Sequence, residues 1–276
     1  MGHVQFSWKT RDGLTIAGRL WEPAEPCRAV VTLVHGVGEH SRRYAHVGEA
    51  LNEAGYACVA FDHRGHGLSE GQKGYFPSYS TVIQDVKDHL EHTRNRYPDK
   101  PVFLYGHSMG GNLVINYTLR FQPEIRGVIA TAPMLRLAFR PSRIKQILVN
   151  ALIRLWPNLS LPSGLNTADI SRDPEVVRLY DEDDLTHDRI TPCFMRLLEA
   201  GEWALEHASE WDCPLLLMHG SEDHITSPEN SARFAEHAGK SCTLRIWEGL
   251  YHEIHNEPEK DRVLKTLIDW LDRQMT

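Results

Sequence analysis

The sequence predicts an α/β fold built on a mostly parallel sheet, and three features of the 276-residue chain support this prediction. Short apolar runs recur along the chain, amphipathic helical patterns separate them, and most of the runs are unbroken rather than alternating. Unbroken apolar runs are typical of strands buried on both faces, and a regular succession of strands and helices is typical of a parallel sheet covered by helices. In such folds the active site lies at the carboxyl ends of the strands.

Eight apolar runs are candidate strands: VQFSWK, LTIAGRLW, AVVTLVH, YACVAFD, PVFLYG, GVIATAP, CPLLLMHG and CTLRIWEG. The first two alternate in polarity and are joined by Arg11, Asp12 and Gly13, which predicts an antiparallel hairpin. Helical patterns such as RYAHVGEALNEAG and STVIQDVKDHLEHTRNRY lie between later runs. We therefore expect an eight-stranded, mostly parallel sheet flanked by helices.

A long insertion interrupts this order. From about Leu135 to Trp211 the chain shows helical patterns separated by prolines and no strand pattern. We predict that residues 135–211 form a helical cap, inserted between the two parts of one core, 1–134 and 212–276.

An apolar stripe in the first part of the insertion is wider than one buried face requires. Val149, Ile153 and Trp156 widen it to roughly 240° of a helical wheel. Residues 135–168 also carry five basic side chains, Arg136, Arg140, Arg143, Lys145 and Arg154, and no acidic one. Two interpretations remain open, namely a cap helix buried on two sides and a surface that contacts lipid or an acyl chain.

Composition disfavours several classes of function. The net charge of −7 argues against nucleic-acid binding, which requires a basic face. Five cysteines without C-x-x-C spacing argue against a disulfide framework or a thiolate zinc site, so we expect mostly buried thiols. No apolar run reaches the about 18 residues of a membrane span, and the N-terminus lacks a signal-peptide pattern. We expect a cytoplasmic protein, at most peripheral at a membrane surface, with no protein partner implied.

The pattern G-x-S-x-G, which is typical of a nucleophile elbow, occurs twice. Around Ser108 an apolar strand runs into GHSMGG and a helix follows, with glycines where chain segments must approach closely. Around Ser69 the pattern GLSEG belongs to a glycine-rich loop with no helix after it. The context therefore predicts Ser108 as the nucleophile of an α/β-hydrolase fold and Ser69 as a loop residue.

A serine hydroxyl needs a base to accept its proton and an acid to orient that base, and in this fold they follow in the order Ser, acid, His. Asp223 follows the strand CPLLLMHG. Glu222 beside it is the alternative acid, although it is equally explained as a solvated loop charge. His252 follows the last strand in the loop LYHEIHNE, whereas His255 already enters the C-terminal helix. We predict the triad Ser108, Asp223 and His252.

Metal binding is the alternative use of the loop LYHEIHNE. A zincin helix has the pattern H-E-x-x-H, which lets both imidazoles meet one ion, and H-E-x-H is one residue short of it. The chain has 16 histidines, so accidental clusters are expected. Since no third ligand occurs at a suitable spacing, we predict no metal site.

The oxyanion hole is predicted from two backbone amides. The tetrahedral intermediate of acyl transfer carries negative charge on oxygen, and donors aimed at it commonly contribute about 3 to 4 kcal/mol. One donor should be the amide of Met109, next to the nucleophile. The other should be the amide of Val37 in the loop HGVGEHSRRY, whose glycines allow an amide to turn inward; an ordinary glycine turn is the alternative.

Six segments, HGVGEHSRRY, FDHRGHGLSEG, GHSMGG, PNLSL, GSEDHI and EGLYHEIHNE, together resemble the monoacylglycerol lipase family of α/β-hydrolases, which includes bacterial lysophospholipase-like enzymes. The resemblance covers nearly the whole chain and is looser in the insertion beyond PNLSL. It implies a serine hydrolase without a cofactor that cleaves the ester of a single acyl chain on glycerol. It also implies a cap that docks on membranes.

The same resemblance implies roles for three further residues. Arg43, Tyr180 and His255 match the family positions that bind the glycerol hydroxyls, although His255 is also explained as a polar residue at a helix start. Val37 stands where the family often has a small residue, so we expect it to narrow the acyl site.

Two other functions remain as rivals. A general carboxylesterase, thioesterase or lysophospholipase would use the same triad. A non-catalytic protein on the same fold should have lost a triad member, and none is missing here. Epoxide hydrolases and dehalogenases of this fold have an Asp in the elbow, and Ser108 argues against them.

Overall fold

An eight-stranded sheet forms the centre of the computed structural model, which describes residues 3–139, 149 and 151–276. Its spatial strand order is β1-β2-β4-β3-β5-β6-β9-β10. The strands are β1 (Val4–Lys9), β2 (Thr15–Trp21), β3 (Ala29–Val34), β4 (Tyr56–Phe61), β5 (Val102–His107), β6 (Gly127–Thr131), β9 (Leu215–Gly220) and β10 (Cys242–Trp247), with β7 (Leu161–Pro162) and β8 (Arg189–Ile190) forming a separate pair. All eight predicted runs are therefore strands of the main sheet.

Most of the strands in this sheet are parallel. Strand β2 pairs antiparallel with both β1 and β4, and the five remaining neighbouring pairs are parallel. This arrangement confirms the predicted hairpin and the predicted eight-stranded, mostly parallel sheet.

Helices cover both faces of the sheet. The helices with described bounds are α1 (Ala45–Glu53), α2 (Tyr79–Arg96), α3 (Met109–Phe121), α4 (Pro174–Asp181), α5 (Met195–Glu206), α6 (Pro228–Ala238) and α7 (Lys260–Gln274). Neighbouring strand residues point to opposite faces, so that Val34 belongs to the core under α2 and α3, whereas Leu33 belongs to the core under α1 and α7. The unbroken apolar runs thus serve two cores at once.

Side-chain caps mark where several helices begin. Ser78 accepts a hydrogen bond from the Thr81 amide before α2, and Asp173 accepts one from the Glu175 amide before α4. Ser227 does the same before α6, and both α4 and α6 carry a proline in their first turn. These residues satisfy amides that have no partner inside the helix and fix the helix starts.

The insertion, residues 135–211, contains α4, α5 and the pair β7 and β8, and it lies between β6 and β9. The expectation that it holds no strand was wrong, because Leu161 and Pro162 pair antiparallel with Arg189 and Ile190. Two-residue strands are too short to produce a periodic pattern. Three residues of the predicted apolar stripe, Ile144, Ile147 and Leu148, lie outside the described residues; Val149 and residues 151–155 are helical.

Two further sequence predictions concern the cysteines and membrane-spanning helices. Five free cysteines are present, of which three are buried and two are half-buried. No helix within the described ranges is both long enough and apolar enough to cross a membrane.

Candidate active site

Ser108 occupies a strained turn between strand β5 and helix α3. Its backbone has φ 53° and ψ −113°, a conformation that costs a residue other than glycine about 1–3 kcal/mol and persists only when its surroundings hold it. The Ser108 amide donates to the carbonyl of Thr131 at 2.9 Å. The Ser108 carbonyl accepts from the amides of Asn112 at 3.0 Å and Met134 at 2.9 Å. The strand, strained turn and helix expected of a nucleophile elbow are all present.

The glycines of the motif are required by close chain contacts. A Cβ on Gly110 would lie 2.0 Å from the carbonyl oxygen of Val34, and one on Gly106 would lie 2.3 Å from the carbonyl oxygen of Gly110. Both distances are far below van der Waals contact. Only glycine at these two positions lets helix α3 approach strand β3 closely enough to form the turn.

The second G-x-S-x-G pattern has a different structure. Ser69 lies in a loop, where its Oγ donates to the carbonyl of Asp62 at 2.6 Å and accepts from the amide of Ala17 at 2.9 Å. Both hydrogen bonds of the Ser69 hydroxyl therefore hold the loop, and the one from Ala17 fixes it against strand β2.

Asp223 lies in the loop after β9 and holds two imidazoles. Its Oδ2 lies 2.7 Å from Nδ1 of His252 and 3.0 Å from Nε2 of His219, and it accepts from Thr226 Oγ1 at 2.9 Å. Its Oδ1 accepts from the amides of Ile225 at 2.8 Å and Thr226 at 2.9 Å. This set of donors fixes the carboxylate and leaves its orientation little freedom. The adjacent Glu222 is exposed.

The electrostatics of this pair keep Asp223 ionised and make His252 more basic. Burial alone would raise the pKa of Asp223, but the charge on His252 and the hydrogen bonds from His219 and His252 hold it well below its usual value. Burial alone would lower the pKa of His252, and the nearby Asp223 carboxylate reverses this and raises it. Since an ionised carboxylate can only accept, Nδ1 of His252 carries a proton and Nε2 is left as an acceptor in the neutral ring.

One cavity brings Ser108 and His252 to the same surface. It has a volume of about 320 Å³, and both residues line it, together with Val37, Glu39 and Glu253. Among the described residues, no hydrogen bond joins Ser108 Oγ to the His252 ring. Such bonds are often long in unliganded hydrolases and shorten when substrate binds.

The walls of the cavity are largely apolar. The loop after strand β6 and the insertion supply most of them, through Met134, Leu137, Phe139, Val149, Leu161, Ile170, Ile190, Phe194, Met195 and Leu198. The edge of the sheet that carries Ser108 and His252 forms one part of the lining, and the insertion forms most of the rest.

The two predicted oxyanion residues flank Ser108. Met109 is the first residue of helix α3, so its amide has no carbonyl one turn back to donate to. Val37 is half-buried and lines the cavity, and its amide donates to no acceptor within the described part of the chain. The loop of Val37 is held by its neighbours: the Gly36 amide donates to Glu39 Oε1 at 2.6 Å, and the Gly38 carbonyl accepts from the His187 amide at 2.9 Å.

A buried ion network lies beside the predicted catalytic residues. Arg43 donates to both carboxylate oxygens of Glu253, at 2.6 and 2.7 Å, and to Glu39 Oε2 at 2.9 Å. Its guanidinium also lies 4.7 Å from the centre of the Tyr180 ring. Burial opposes ionisation of Glu253, yet the charge and hydrogen bonds of Arg43 lower the pKa of that carboxyl to about 2. In this structure Arg43 is therefore saturated by protein partners and is not among the cavity-lining residues.

Of the other two predicted glycerol-binding residues, Tyr180 lines the cavity and His255 does not. Tyr180 lines the cavity, and its hydroxyl donates to the Gly38 carbonyl at 3.1 Å. His255 is fully buried, stacks on Tyr44 with ring centres 4.8 Å apart, and lies outside the described cavity lining. Burial holds the pKa of His255 well below its usual value, so the ring is neutral. The roles of these residues in glycerol binding stay predictions.

The stretch LYHEIHNE also raised the possibility of metal binding. Among the described residues, no group of three or more His, Cys, Asp or Glu side chains is arranged to hold a metal ion. The four His and Glu side chains of this stretch have other partners: His252 contacts Asp223, Glu253 contacts Arg43, His255 stacks on Tyr44, and Glu257 accepts from Arg172.

Comparison with known proteins assigns the chain to a family. Residues 25–259 match the model of the Hydrolase_4 family, described as serine aminopeptidase, S33. The chain belongs to the Hydrolase_4 family. The monoacylglycerol lipase of Mycolicibacterium smegmatis is 32% identical to it, and the match covers 94% of this chain and 93% of that protein.

Two further relatives extend this comparison. The crystal structure of the Paleococcus ferrophilus monoacylglycerol lipase is 34% identical, covers 99% of this chain and 100% of that chain, and superposes with a TM-score of 0.84. An uncharacterised abhydrolase domain-containing protein of Dictyostelium discoideum is 36% identical over 96% of this chain, which spans only 28% of that protein. The predicted resemblance to monoacylglycerol lipases is confirmed, and this Hydrolase_4 member is a carboxylic ester hydrolase with an α/β-hydrolase fold.

Three residues that contact the predicted site of this hydrolase, His219, Glu39 and Glu253, were not predicted from the sequence. His219, the second imidazole on Asp223, could have been noticed as the penultimate residue of the strand that leads to the acid. Glu39 and Arg43 are four residues apart, a spacing that suggests an ion pair on one helical turn. Glu253, which completes that network, gave no signal, because its partner Arg43 is 210 residues away in sequence.

Proposed function

We propose that this hydrolase cleaves monoacylglycerols to a fatty acid and glycerol, using Ser108, His252 and Asp223 as a catalytic triad. The observation that carries the proposal is the 2.7 Å contact between His252 and Asp223 at a cavity whose surface also holds the strained turn of Ser108. In this proposal Asp223 orients His252, and His252 takes the proton from Ser108, as acyl transfer requires.

In the first half of the reaction Ser108 Oγ attacks the ester carbonyl carbon, and its proton passes to Nε2 of His252. The charge that develops on the carbonyl oxygen is stabilised by the amides of Val37 and Met109. Asp223, kept ionised, stabilises the imidazolium that forms. When the tetrahedral intermediate collapses, the bond to the glycerol oxygen breaks and that oxygen takes the proton from His252.

In the second half, water replaces the alcohol. His252 removes a proton from the water as its oxygen attacks the acyl carbon, and a second tetrahedral intermediate forms at the same oxyanion site. Its collapse breaks the bond to Ser108 Oγ, which recovers the proton, and the fatty acid leaves. The chain's own side chains and amides perform every step of this sequence.

The acyl chain is proposed to lie along the apolar walls that the insertion provides. A cavity of 320 Å³ falls in the range of roughly 300 to 1,000 Å³ that is usual for small-molecule sites. Val37 stands at the catalytic end of this cavity. We expect its side chain to narrow the entrance to the acyl site.

The charges at the catalytic end favour glycerol over a phosphate-bearing alcohol. Glu39 and Glu253 both line the cavity there, whereas Arg43 is shared between them. Among the described lining residues the one arginine is Arg189, which lies 3.3 Å from Asp188. A lysophospholipid would bring its phosphate toward these carboxylates, and no unpaired Lys or Arg lies among the described lining residues, so we rank lysophospholipase activity below monoacylglycerol hydrolysis.

We also propose that the insertion contacts the membrane from which the substrate is taken. Five of the eight exposed large apolar side chains in the described residues belong to it: Phe139, Leu155, Trp156, Leu159 and Leu179. Trp156 is 60% exposed and Leu155 65% exposed. An aromatic and aliphatic surface of this kind is typical of proteins that lie at a lipid interface.

A substrate panel tests the proposed function. Hydrolysis of 1-oleoylglycerol should exceed that of dioleoylglycerol, oleoyl lysophosphatidylcholine, oleoyl lysophosphatidic acid and an aminoacyl p-nitroanilide, the last testing the peptidase chemistry in the family's description. Ser108→Ala should lower kcat by about a million-fold, while Ser69→Ala serves as the matched control with activity retained. A preference for either lysophospholipid, or wild-type activity in Ser108→Ala, would refute the proposal.

A further inference from the structure

Two asparagines on helix α3 are buried and take no part in the proposed chemistry. Asn112 and Asn116 are one helical turn apart and both are fully shielded from solvent. A carboxamide removed from water is costly unless it is hydrogen-bonded, so their partners indicate what they hold together.

Asn112 joins three segments of the chain. Its Nδ2 donates to the carbonyl of Met134 at 2.8 Å and to the carbonyl of Leu197 at 2.9 Å. Its Oδ1 accepts from the Tyr79 hydroxyl at 2.9 Å. One side chain therefore connects the nucleophile helix, the loop after β6 and helix α5 of the insertion.

Asn116 makes a second connection to the same helix. Its Nδ2 donates to the carbonyl of Ala200 at 3.1 Å, and its Oδ1 accepts from the Arg120 guanidinium at 3.3 Å. Leu197 and Ala200 are three residues apart, so their carbonyls lie on one side of α5. The two asparagines thus fasten α5 to α3 at two successive points.

Helix α5 is a wall of the proposed acyl site. Met195 and Leu198 line the cavity, as does Phe194 immediately before the helix. The packing behind this wall is close: a Cβ on Gly201 would lie 2.2 Å from the carbonyl oxygen of Leu135. The helix is therefore held against the core on its far side while its apolar side chains face the cavity.

The two asparagines differ in their relation to the nucleophile. Met134, which receives a hydrogen bond from Asn112, donates its own amide to the carbonyl of Ser108 at 2.9 Å. Asn112 is thus linked both to the strained turn and to the cavity wall. Asn116 reaches the wall directly, whereas its link to the Ser108 turn runs through Asn112, whose carbonyl accepts from Asn116 Nδ2 at 3.1 Å.

We propose that Asn112 and Asn116 are positioning residues that set the distance between Ser108 and the acyl wall formed by α5. The proposal rests on the proposed acyl-transfer function and adds to it a determinant of acyl-chain selection. Asn116 acts directly on the wall, and hence chiefly on the binding of long acyl chains, because it reaches Ser108 only through Asn112. Asn112 acts on the wall and on the nucleophile turn, and hence on turnover as well.

The test compares KM and kcat for p-nitrophenyl butyrate and p-nitrophenyl decanoate. In Asn116→Leu, loss of one hydrogen bond to the wall should raise KM for the decanoate about fivefold and leave both constants for the butyrate within about twofold. In Asn112→Leu, kcat should fall for both esters. Asn52→Leu is the matched control, because Asn52 is also buried but its carboxamide has no partner among the described residues; it should change neither constant.

Equal changes in KM for the two esters in Asn116→Leu, or no change in a folded variant, would overturn the proposal. Hydrogen exchange of the wild-type protein tests the same idea if the variants do not fold. The backbone amides of α5 should then exchange as slowly as those of α3 and more slowly than those of α4. Exchange of the α5 amides at the rate of the α4 amides would overturn the proposal. These esters contain no glycerol, so failure of monoacylglycerol hydrolysis leaves this test readable.

Discussion

The proposed catalytic edge of the sheet and the insertion differ in the side chains they present: polar and hydrogen-bonded at the edge, mostly apolar in the insertion. At the edge, Ser108, Asp223 and His252 follow the ends of three strands. Backbone hydrogen bonds hold the Ser108 turn, five hydrogen bonds hold the Asp223 carboxylate, and that carboxylate holds the His252 ring. In the insertion, apolar side chains form a cavity wall, and many other apolar side chains remain exposed. On the proposed function, residues at the sheet edge determine which bond is broken, and residues of the insertion determine which substrate binds.

This division makes a clear distinction between two kinds of substitution. Changes at the catalytic edge should alter the rate for every ester by a similar factor, since they act on the reacting atoms. Changes in the insertion should alter the rate for some esters and spare others, since they act on binding.

The largest effect short of removing the nucleophile is expected for Asp223→Asn. Loss of the carboxylate removes the group that orients His252 and stabilises its cation, so kcat should fall about 10⁴-fold for short and long esters alike. Glu222→Gln, the matched change at the next position, should stay within about twofold of wild type. Steady-state kinetics on two chain lengths measures both. A loss confined to one chain length would contradict the assignment of chemistry to the edge.

The pH dependence of kcat/KM should show the influence of Asp223 on His252. The base works when neutral, and its pKa is raised above the usual 6.5 by the neighbouring carboxylate. Activity should therefore be lost on acidification through a value above 6.5, and Asp223→Asn should move that value down. The profile is measured with p-nitrophenyl butyrate from pH 5 to 9. A wild-type midpoint at or below 6.5 would argue against His252 as the base.

The smallest expected effect belongs to the surface of the insertion. Trp156→Ser should weaken co-sedimentation with phosphatidylcholine vesicles by a factor of a few and leave hydrolysis of p-nitrophenyl butyrate unchanged. Phe121→Ser is the matched control, since Phe121 is 55% exposed on the core and should not matter for vesicle binding. Equal partitioning of wild type and Trp156→Ser would remove the support for membrane contact through this surface.

The sheet edge could be predicted from the sequence more fully than the contacts between distant segments. Strand ends in a parallel sheet converge, so a serine in an elbow motif and acid and histidine after later strands could be placed together without coordinates. The strain at Ser108 was also implied, since Gly106 and Gly110 are understandable only if chains nearly touch there.

Contacts between distant segments could not be predicted in this way. The glycerol-binding role that the resemblance implies for Arg43 stays a prediction, but the sharing of its guanidinium between Glu39 and Glu253 could not be predicted from the sequence. The link from Asn116 to the Ala200 carbonyl spans 84 residues and uses a backbone atom, which no side-chain pattern reports. The strands β7 and β8 are too short for a periodic signal. Each of these arrangements joins segments that are far apart in the sequence, so only the three-dimensional structure reveals it.

Covalent labelling tests the central claim, the convergence of three loops on one activated serine, most directly. A fluorophosphonate probe, which reacts only with a serine activated by a neighbouring base, would be incubated with the protein and the adduct located by peptide mass spectrometry. We predict a single adduct on Ser108, greatly slowed in His252→Ala. An adduct on Ser69 or on another serine, or labelling of Ser108 at the same rate without His252, would contradict the claim.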